Sequence, residues 1–444
     1  MDIRMSFAIM AGKLTRLAIK MIGRSASSFP GGVALKLCPD LLRRMSLPKK
    51  IVAVTGSNGK TTTTQMIYTA ARESGIHLIC NTEGSNQIQG VTAMFLQHCT
   101  LGGRVNADVA LIESDERFCQ YTFKQLTPDY MVITNLYRDQ MTRNGHSEFV
   151  RKELQKGIPE GTTLIVNADE PVSASLAVGR KAITYGVSAD VFSEPEGTSH
   201  AYHDGAYCPV CYAKMSYTHR VFSHVGDYTC SSCGFARGAV DHEITAIQDG
   251  AFLLDGAHAV TPQMCNSNFA YNIVAAYTTL VKAFDFTSEK AAQALDHFVI
   301  RGDRLHEFNL NGHRGLFTLT KHENSMAYNA ALHALQDVEQ ATLVLIVDQL
   351  SRKYTANDMS WLWDIDFEMA ASEGVKRVIL SGQFAYDLAV RLAFAGVAEE
   401  RMTVEPDLDN MMADLKDNAV GDIYVMTCFT DVGKFTSRLK EVQA

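Results

Sequence analysis

The apolar run Ile51-Val52-Ala53-Val54 breaks off into Thr55-Gly56-Ser57-Asn58-Gly59-Lys60-Thr61, and a stretch of helical period follows at once. A buried strand that ends in a glycine loop and restarts as a helix opens a β-α-β layer, so this junction limits the chain to α/β architectures. Gly56 and Gly59 allow tight turns there, and the amides from Ser57 to Thr61 can then point from a helix N-terminus at phosphate oxygens. Lys60 would meet β- and γ-phosphates, and the Thr61 hydroxyl would help hold Mg²⁺. The other reading of these residues is a glycine-rich turn with a surface lysine. The loop is shorter than the common P-loop, which needs a glycine where Val54 stands.

The runs His77–Cys80, Val109–Ile112, Met131–Thr134 and Leu164–Val166 continue the pattern as expected buried parallel strands. A second series, Leu343–Val347, Arg377–Leu380 and Ile423–Thr427, begins after residue 315 and predicts a second α/β domain. Residues 200–240 show no regular period. The expected division is a basic N-terminal helical segment at 1–49, a nucleotide-binding domain at 50–300 with an insertion at about 200–240, and a C-terminal α/β domain at 301–444.

Residues 1–50 carry ten Lys and Arg against two Asp, a local +8; the whole chain is at −8, which leaves −16 for the remainder. Lys13, Arg16, Lys20 and Arg24 recur at three- and four-residue steps, on a helix face expected to lie opposite Phe7, Leu14, Leu17 and Met21. A surface helix packed on its own domain is the expected arrangement, with a peripheral membrane contact as the other reading. The acidic remainder speaks against nucleic acid as a partner. No apolar run approaches the roughly 20 residues that cross a bilayer, and neither a cleaved signal nor a transmembrane helix is expected.

Six of the ten cysteines (Cys38, Cys80, Cys99, Cys119, Cys265 and Cys428) stand singly and are expected as core residues of a reduced, cytoplasmic protein. The other four form Cys208-x-x-Cys211 and Cys230-x-x-Cys233, two knuckles that fit a closed tetrahedral zinc site with no position left for water. A redox pair or a disulfide is the alternative. Glu113, Asp115 and Glu116 end a predicted strand, where carboxylates suit a hard divalent cation or are simply solvated. Asn135, Arg138, Asp139 and Gln140 follow the next strand and face the same crevice.

Taken in order, TGSNGKTTT (55–63), NTEGSN (81–86), IESDE (112–116), TNLYRDQ (134–140) and NADEP (167–171) resemble the central domain of the Mur ligases, ATP-dependent amide-forming enzymes of peptidoglycan synthesis. Gln140 after Asp139, the four-cysteine insertion, SSFPGGVALKL (27–37) and DMSWLWDIDFE (358–368) are similar to the branch of the family that serves as the synthetase subunit of a two-subunit amidotransferase. The resemblance implies ATP on Gly56, Ser57, Asn58, Gly59, Lys60, Thr61, Thr62 and Asn272, and Mg²⁺ at Thr61 and Glu113. It implies structural zinc on Cys208, Cys211, Cys230 and Cys233, and catalytic roles for Lys60, Glu113 and Asp358. Asp358 would be lent to the Cys-His pair of a GatD-like class I glutaminase subunit, a role in which an aspartate orients a histidine. Capping of a helix that starts near Met359 is its other reading.

The implied reaction activates the D-glutamate α-carboxylate of lipid II, or a related peptidoglycan precursor, for amidation to D-isoglutamine. It would take place in the cytoplasm, at the inner face of the membrane. The chain has no Gly-x-Cys-x-Gly elbow, so the glutaminase would be another chain. A stand-alone Mur-type or folylpolyglutamate-type ligase and a degenerate ATP-binding scaffold are the rival readings. The family pattern is departed from at Thr142, at Phe269 and within 320–357.

Overall fold

A computed structural model describes residues 2–443 except 84, 194–203, 300–304, 321, 336–337, 351–356 and 429; the side chains of 142, 143, 305, 306, 319 and 443 are likewise outside the description. The departures expected at Thr142 and within 351–356, and the start of the insertion at 200–203, therefore fall outside it. Two compact units emerge. One comprises Met1–Leu136, Ser147–Glu194 and Asp204–Ile300, the other Tyr137–His146, Pro195–His203 and Arg301–Ala444.

In the first unit, β1 (Lys50–Thr55), β2 (Leu78–Cys80), β3 (Val109–Glu113), β4 (Tyr130–Ile133), β5 (Thr163–Asn167) and β6 (Ala182–Val187) run parallel. Val52, Ala53 and Val54 of β1 and Ala110, Leu111 and Ile112 of β3 are wholly buried, which accounts for their unbroken apolar sequence. The hairpin β7 (Ser216–Phe222) and β8 (Val225–Thr229) stands apart, within the stretch expected to be irregular. The strands β9 (His242–Gln248), β10 (Ala251–Leu254) and β11 (His258–Val260) complete a sheet of order β11-β10-β9-β6-β5-β4-β1-β3-β2.

The N-terminal helix Ile3–Met21 packs on its own unit, as expected, but not by the stripe of Phe7, Leu14, Leu17 and Met21. Its buried residues are Met5, Ala8, Ile9 and Gly12, whereas Phe7, Leu14, Leu17 and Met21 are exposed. Small side chains decide the orientation. A Cβ on Gly12 would stand 2.6 Å from Leu96 Cδ1 and 3.3 Å from Ala34 Cβ, so only this face lets the helices Phe29–Leu37 and Ile88–His98 approach so closely. Met5, Ile9, Leu41 and Leu42 share one core with Phe95, Ile51 and Ile133.

The second unit is built on β12 (Leu305–Leu310), β13 (His313–Leu319), β14 (Ala341–Ile346), β15 (Val375–Ser381), β16 (Met402–Val404) and β17 (Asp422–Thr427), in the order β12-β13-β17-β14-β15-β16. All pairs are parallel except the β12–β13 hairpin. One face packs on Tyr328, Trp361, Phe367, Leu388 and Leu392, the other on Met411, Leu415 and Phe435.

Candidate functional site

The glycine loop leaves β1 at Thr55, and the helix Lys60–Glu73 starts from Gly59, whose φ of 80° is left-handed. Gly56 sits at φ 132°, and a Cβ there would lie 2.2 Å from Thr134 Oγ1; one on Gly59 would meet Asn272 Oδ1 at the same distance. Both positions therefore exclude any side chain. Asn135 clamps the loop from β4, its carbonyl accepting from the Ser57 amide and its side-chain oxygen from the Asn58 amide, each at 2.8 Å. Thr134 Oγ1 donates to Asn58 O at 2.6 Å.

Lys60 folds over this loop. Its ammonium donates to Gly56 O, to Ser57 O at 3.0 Å and to Glu116 Oε2 at 3.0 Å. Glu116 is 3% exposed, so the pair places a positive charge in a sheltered position at the helix N-terminus. Glu113 stands opposite Val54 in the β1–β3 register. Its amide donates to Asn81 Oδ1 at 2.8 Å, while Asn81 Nδ2 holds Glu113 O and Ser85 O. Thr61 is exposed at the first turn and Thr62 is buried beneath it. Asn272, on the helix Ser267–Ala283, abuts Gly59 and accepts from Thr63 Oγ1 at 3.4 Å; Phe269 on the same helix is core.

The NADEP segment forms a buried node that links the sheet to the insertion. Asp169 accepts from Arg237 Nε at 2.6 Å, Tyr271 OH at 2.7 Å and the Val187 amide at 2.7 Å. Burial nevertheless outweighs these partners and raises its carboxyl above the ordinary value. Glu170 caps the turn Pro171–Ala174 through the Val172 and Ser173 amides, accepts from the Leu136 amide, and meets His224 Nε2 at 3.2 Å. Arg237, Tyr271 and His224 escaped the sequence reading because each lies more than fifty residues from its carboxylate.

The four grouped cysteines converge. Cys208 Sγ lies 3.7 Å from Cys233 Sγ and Cys211 Sγ 3.5 Å from Cys230 Sγ, with all four sulfurs within 4.8 Å of one another. A tetrahedron of metal–sulfur bonds of about 2.3 Å has edges of about 3.8 Å, so the cluster fits a metal. The two knuckles repeat one pattern: Tyr212 at φ 63° and Gly234 at φ 76° turn the chain, and their amides donate back to Cys208 O and Cys230 O. Of the single cysteines, Cys265 is exposed and Cys80 half-buried, contrary to the core expectation. Cys265 just precedes Asn266, which caps a helix from a surface turn.

In the second unit, Asp139 is buried and accepts from Asn324 Nδ2 at 2.8 Å, and Arg138 pairs with Asp364 at 2.7 Å. Asp358 is exposed, and its Oδ1 accepts the Ser360 amide at 2.9 Å ahead of the short helix Ser360–Asp364. That bond holds its carboxyl below the ordinary value, so it is charged at neutral pH. A further cluster, unforeseen from the sequence, joins His322, Cys428 and Asp431, all buried and within 4.8 Å. Burial alone would keep His322 neutral, but Asp431 at 3.3 Å and Cys428 overcome it and push the imidazole up to about 9. Burial likewise opposes ionisation of Cys428, and His322 wins again, holding the thiol below its ordinary value. Lys434 donates to Asp431 Oδ1 at 3.2 Å, so a cationic side chain already occupies that carboxylate.

Residues 54–219 match the Mur ligase middle domain and residues 320–432 the MurT ligase C-terminal domain; the chain belongs to the Mur ligase family. Along its length it is similar to MurT, a subunit of lipid II isoglutaminyl synthase (glutamine-hydrolyzing). The Staphylococcus aureus (strain COL) protein is 29% identical over 90% of this chain and 90% of its own length, and the Streptococcus pneumoniae (strain ATCC BAA-255 / R6) protein 26% over 100% and 98%. A solved pseudomurein peptide ligase type C from Methanothermus fervidus, 17% identical, superposes with a TM-score of 0.67 over 91% of this chain and 81% of that one, a likeness of fold.

Proposed function

We propose that this chain is the ATP-dependent synthetase subunit of a glutamine amidotransferase that converts the D-glutamate of the lipid II stem peptide to D-isoglutamine. The observation that carries this reading is its similarity, over nine-tenths of both chains, to a protein named as such a subunit, joined to a glycine loop closed by Lys60, Asn135 and Glu116. The α-carboxylate attacks the γ-phosphorus of ATP, ADP leaves, and an acyl phosphate forms. Ammonia then adds to its carbonyl carbon and inorganic phosphate departs with the acyl–oxygen bond.

In this reading the loop amides from Ser57 to Thr62 cradle the phosphates and the Lys60 ammonium offsets the charge of the transferring group. Asn272 supports the loop at Gly59. Thr61 and Glu113 would hold Mg²⁺, which supplies charge neutralisation across the phosphate oxygens. The four cysteines would hold a structural zinc. A GatD-like class I glutaminase supplies ammonia, and a lipid-borne acceptor places the work in the cytoplasm at the inner membrane face.

Two substitutions test the assignments. Glu113→Gln removes one anionic oxygen and is expected to raise the Mg²⁺ concentration for half-maximal ATP turnover about tenfold, with little change at saturating metal. An unchanged Mg²⁺ titration would move the metal elsewhere. Asp358→Asn keeps an oxygen for the Ser360 amide, since Asn caps as well as Asp, and removes only the charge. Glutamine-driven amidation by the two-subunit complex is expected to fall on the order of a hundredfold, while ammonia-driven amidation, which bypasses the glutaminase histidine, is retained. Equal losses of both activities would leave Asp358 as a cap alone.

A further inference from the structure

The helix Ile3–Met21 has two apolar faces, and its own domain covers one of them. The uncovered face, Ile3, Phe7, Met10, Leu14, Leu17 and Met21, repeats at three- and four-residue steps, with exposures from 41% to 84%. Ile22 and Phe29 continue it past the helix end, at 67% and 65%. Single exposed apolar side chains are ordinary, but a stripe of this length in register calls for an occupant.

Charge says which occupant. From residue 3 to residue 39 there is no Asp or Glu, while Arg4, Lys13, Arg16, Lys20, Arg24 and Lys36 are all basic. Three of these are engaged inside the unit, Arg4 on Leu37 O at 3.0 Å, Lys13 on Cys99 O at 2.6 Å and Arg16 on Glu83 at 2.7 Å. Lys20 and Arg24 are exposed beside the stripe, with no side-chain hydrogen bond or ion pair among the described residues, and Lys20 does no more than add to the field on Glu83. The remainder of the chain is acidic, so an anionic surface attracts this end and repels the rest. A second copy would bring two basic stripes together, and no described helix is long and apolar enough to cross a membrane.

We propose that this face is a membrane-surface anchor: the helix lies in the plane of an anionic lipid surface, with Phe7, Leu14, Leu17 and Met21 among the acyl chains and Lys20 and Arg24 at the headgroups. The anchor is amphipathic because one helix serves two apolar phases. Met5, Ala8, Ile9 and Gly12 dock on the protein, and Phe7, Leu14, Leu17 and Met21 are left for lipid. This inference rests on the helix and not on the reaction, so failure of the amidation reading would leave it standing.

The test is co-sedimentation of the full chain with vesicles of phosphatidylcholine alone or mixed with phosphatidylglycerol. The chain is expected to bind the mixed vesicles, to leave them as salt is raised, and to bind phosphatidylcholine alone far more weakly. Leu14→Glu with Leu17→Glu should weaken partition by on the order of a hundredfold or more, because two leucines lose their burial in lipid. Lys20→Glu with Arg24→Glu spares the stripe and should weaken it by about fivefold or more per charge. All four positions are exposed, so both variants should melt with the wild type. Failure of the wild type to bind the mixed vesicles overturns the proposal, as does equal binding by the folded Leu14/Leu17 variant. Concentration-dependent dimerisation that the same variant abolishes would give the face to a second copy and overturn it too.

Discussion

Replacing Lys60 by alanine is expected to cut ATP turnover about a thousandfold or more, the scale seen when a preorganised charge is removed from a transferring phosphoryl group. The same change takes the Lys60 ammonium away from Glu116, whose carboxylate is 3% exposed. Leaving one member of a buried pair costs stability, so Lys60→Ala should also melt earlier. The double change Lys60→Ala with Glu116→Gln separates the effects: it also removes the buried negative charge that the ammonium offsets and should recover part of the melting temperature, yet no turnover. Near wild-type hydrolysis by either folded variant would remove Lys60 from the phosphate site.

Stripping metal from the four cysteines is expected to unfold the β7–β8 hairpin while the parallel sheet stays folded. Among the described residues, the small core around the four cysteines has Cys208, Met215, Tyr228 and Cys230 as its buried members, too few to stabilise that end of the hairpin by apolar burial alone. Two of the four, Cys208 and Cys230, belong to the proposed zinc ligands. The reduced protein as purified should carry one zinc per chain, and chelation or Cys230→Ser should abolish hydrogen-exchange protection at Tyr217 and Tyr228 while leaving β1 and β3 protected. Because Arg237 and His224 tie the hairpin to Asp169 and Glu170, a modest loss of protection should reach the Leu136 amide. Metal analysis that finds iron, or no metal, would contradict the assignment.

Local features were the legible ones. The glycine loop could be read because a strand, two glycines and a helix start all lie within eleven residues, and each constrains the next. The central strands could be read because burial on both faces leaves an unbroken apolar run. The strands β9 to β11 were not read: His242–Gln248 alternates buried with half-exposed residues at one side of the sheet, and its polar positions look like loop. The N-terminal helix was read as packed on its own domain, but not by which face. Its apolar residues recur on two sides, and periodicity cannot tell them apart; the close approach allowed by Ala8 and Gly12 does. The His322–Cys428–Asp431 cluster was invisible because 109 residues separate His322 from Asp431, and Cys428 alone reads as core. Asp358 illustrates the opposite case, a residue flagged by its neighbours Ser360 and Trp361 whose bond to the Ser360 amide fits a cap as well as a lent carboxylate.

The central claim is that this chain spends ATP to amidate a peptidoglycan precursor. It is tested most directly by incubating the chain, with its glutaminase partner, with lipid II, Mg-ATP and either glutamine or ammonium, and reading the stem peptide by mass spectrometry. The account predicts ATP-dependent replacement of one carboxylate hydroxyl by an amine on the D-glutamate, with one ADP formed per amide, and loss of the glutamine-driven product alone when the partner is omitted. A stem peptide that stays unmodified, or that gains a whole residue when a free amino acid is supplied, would contradict it.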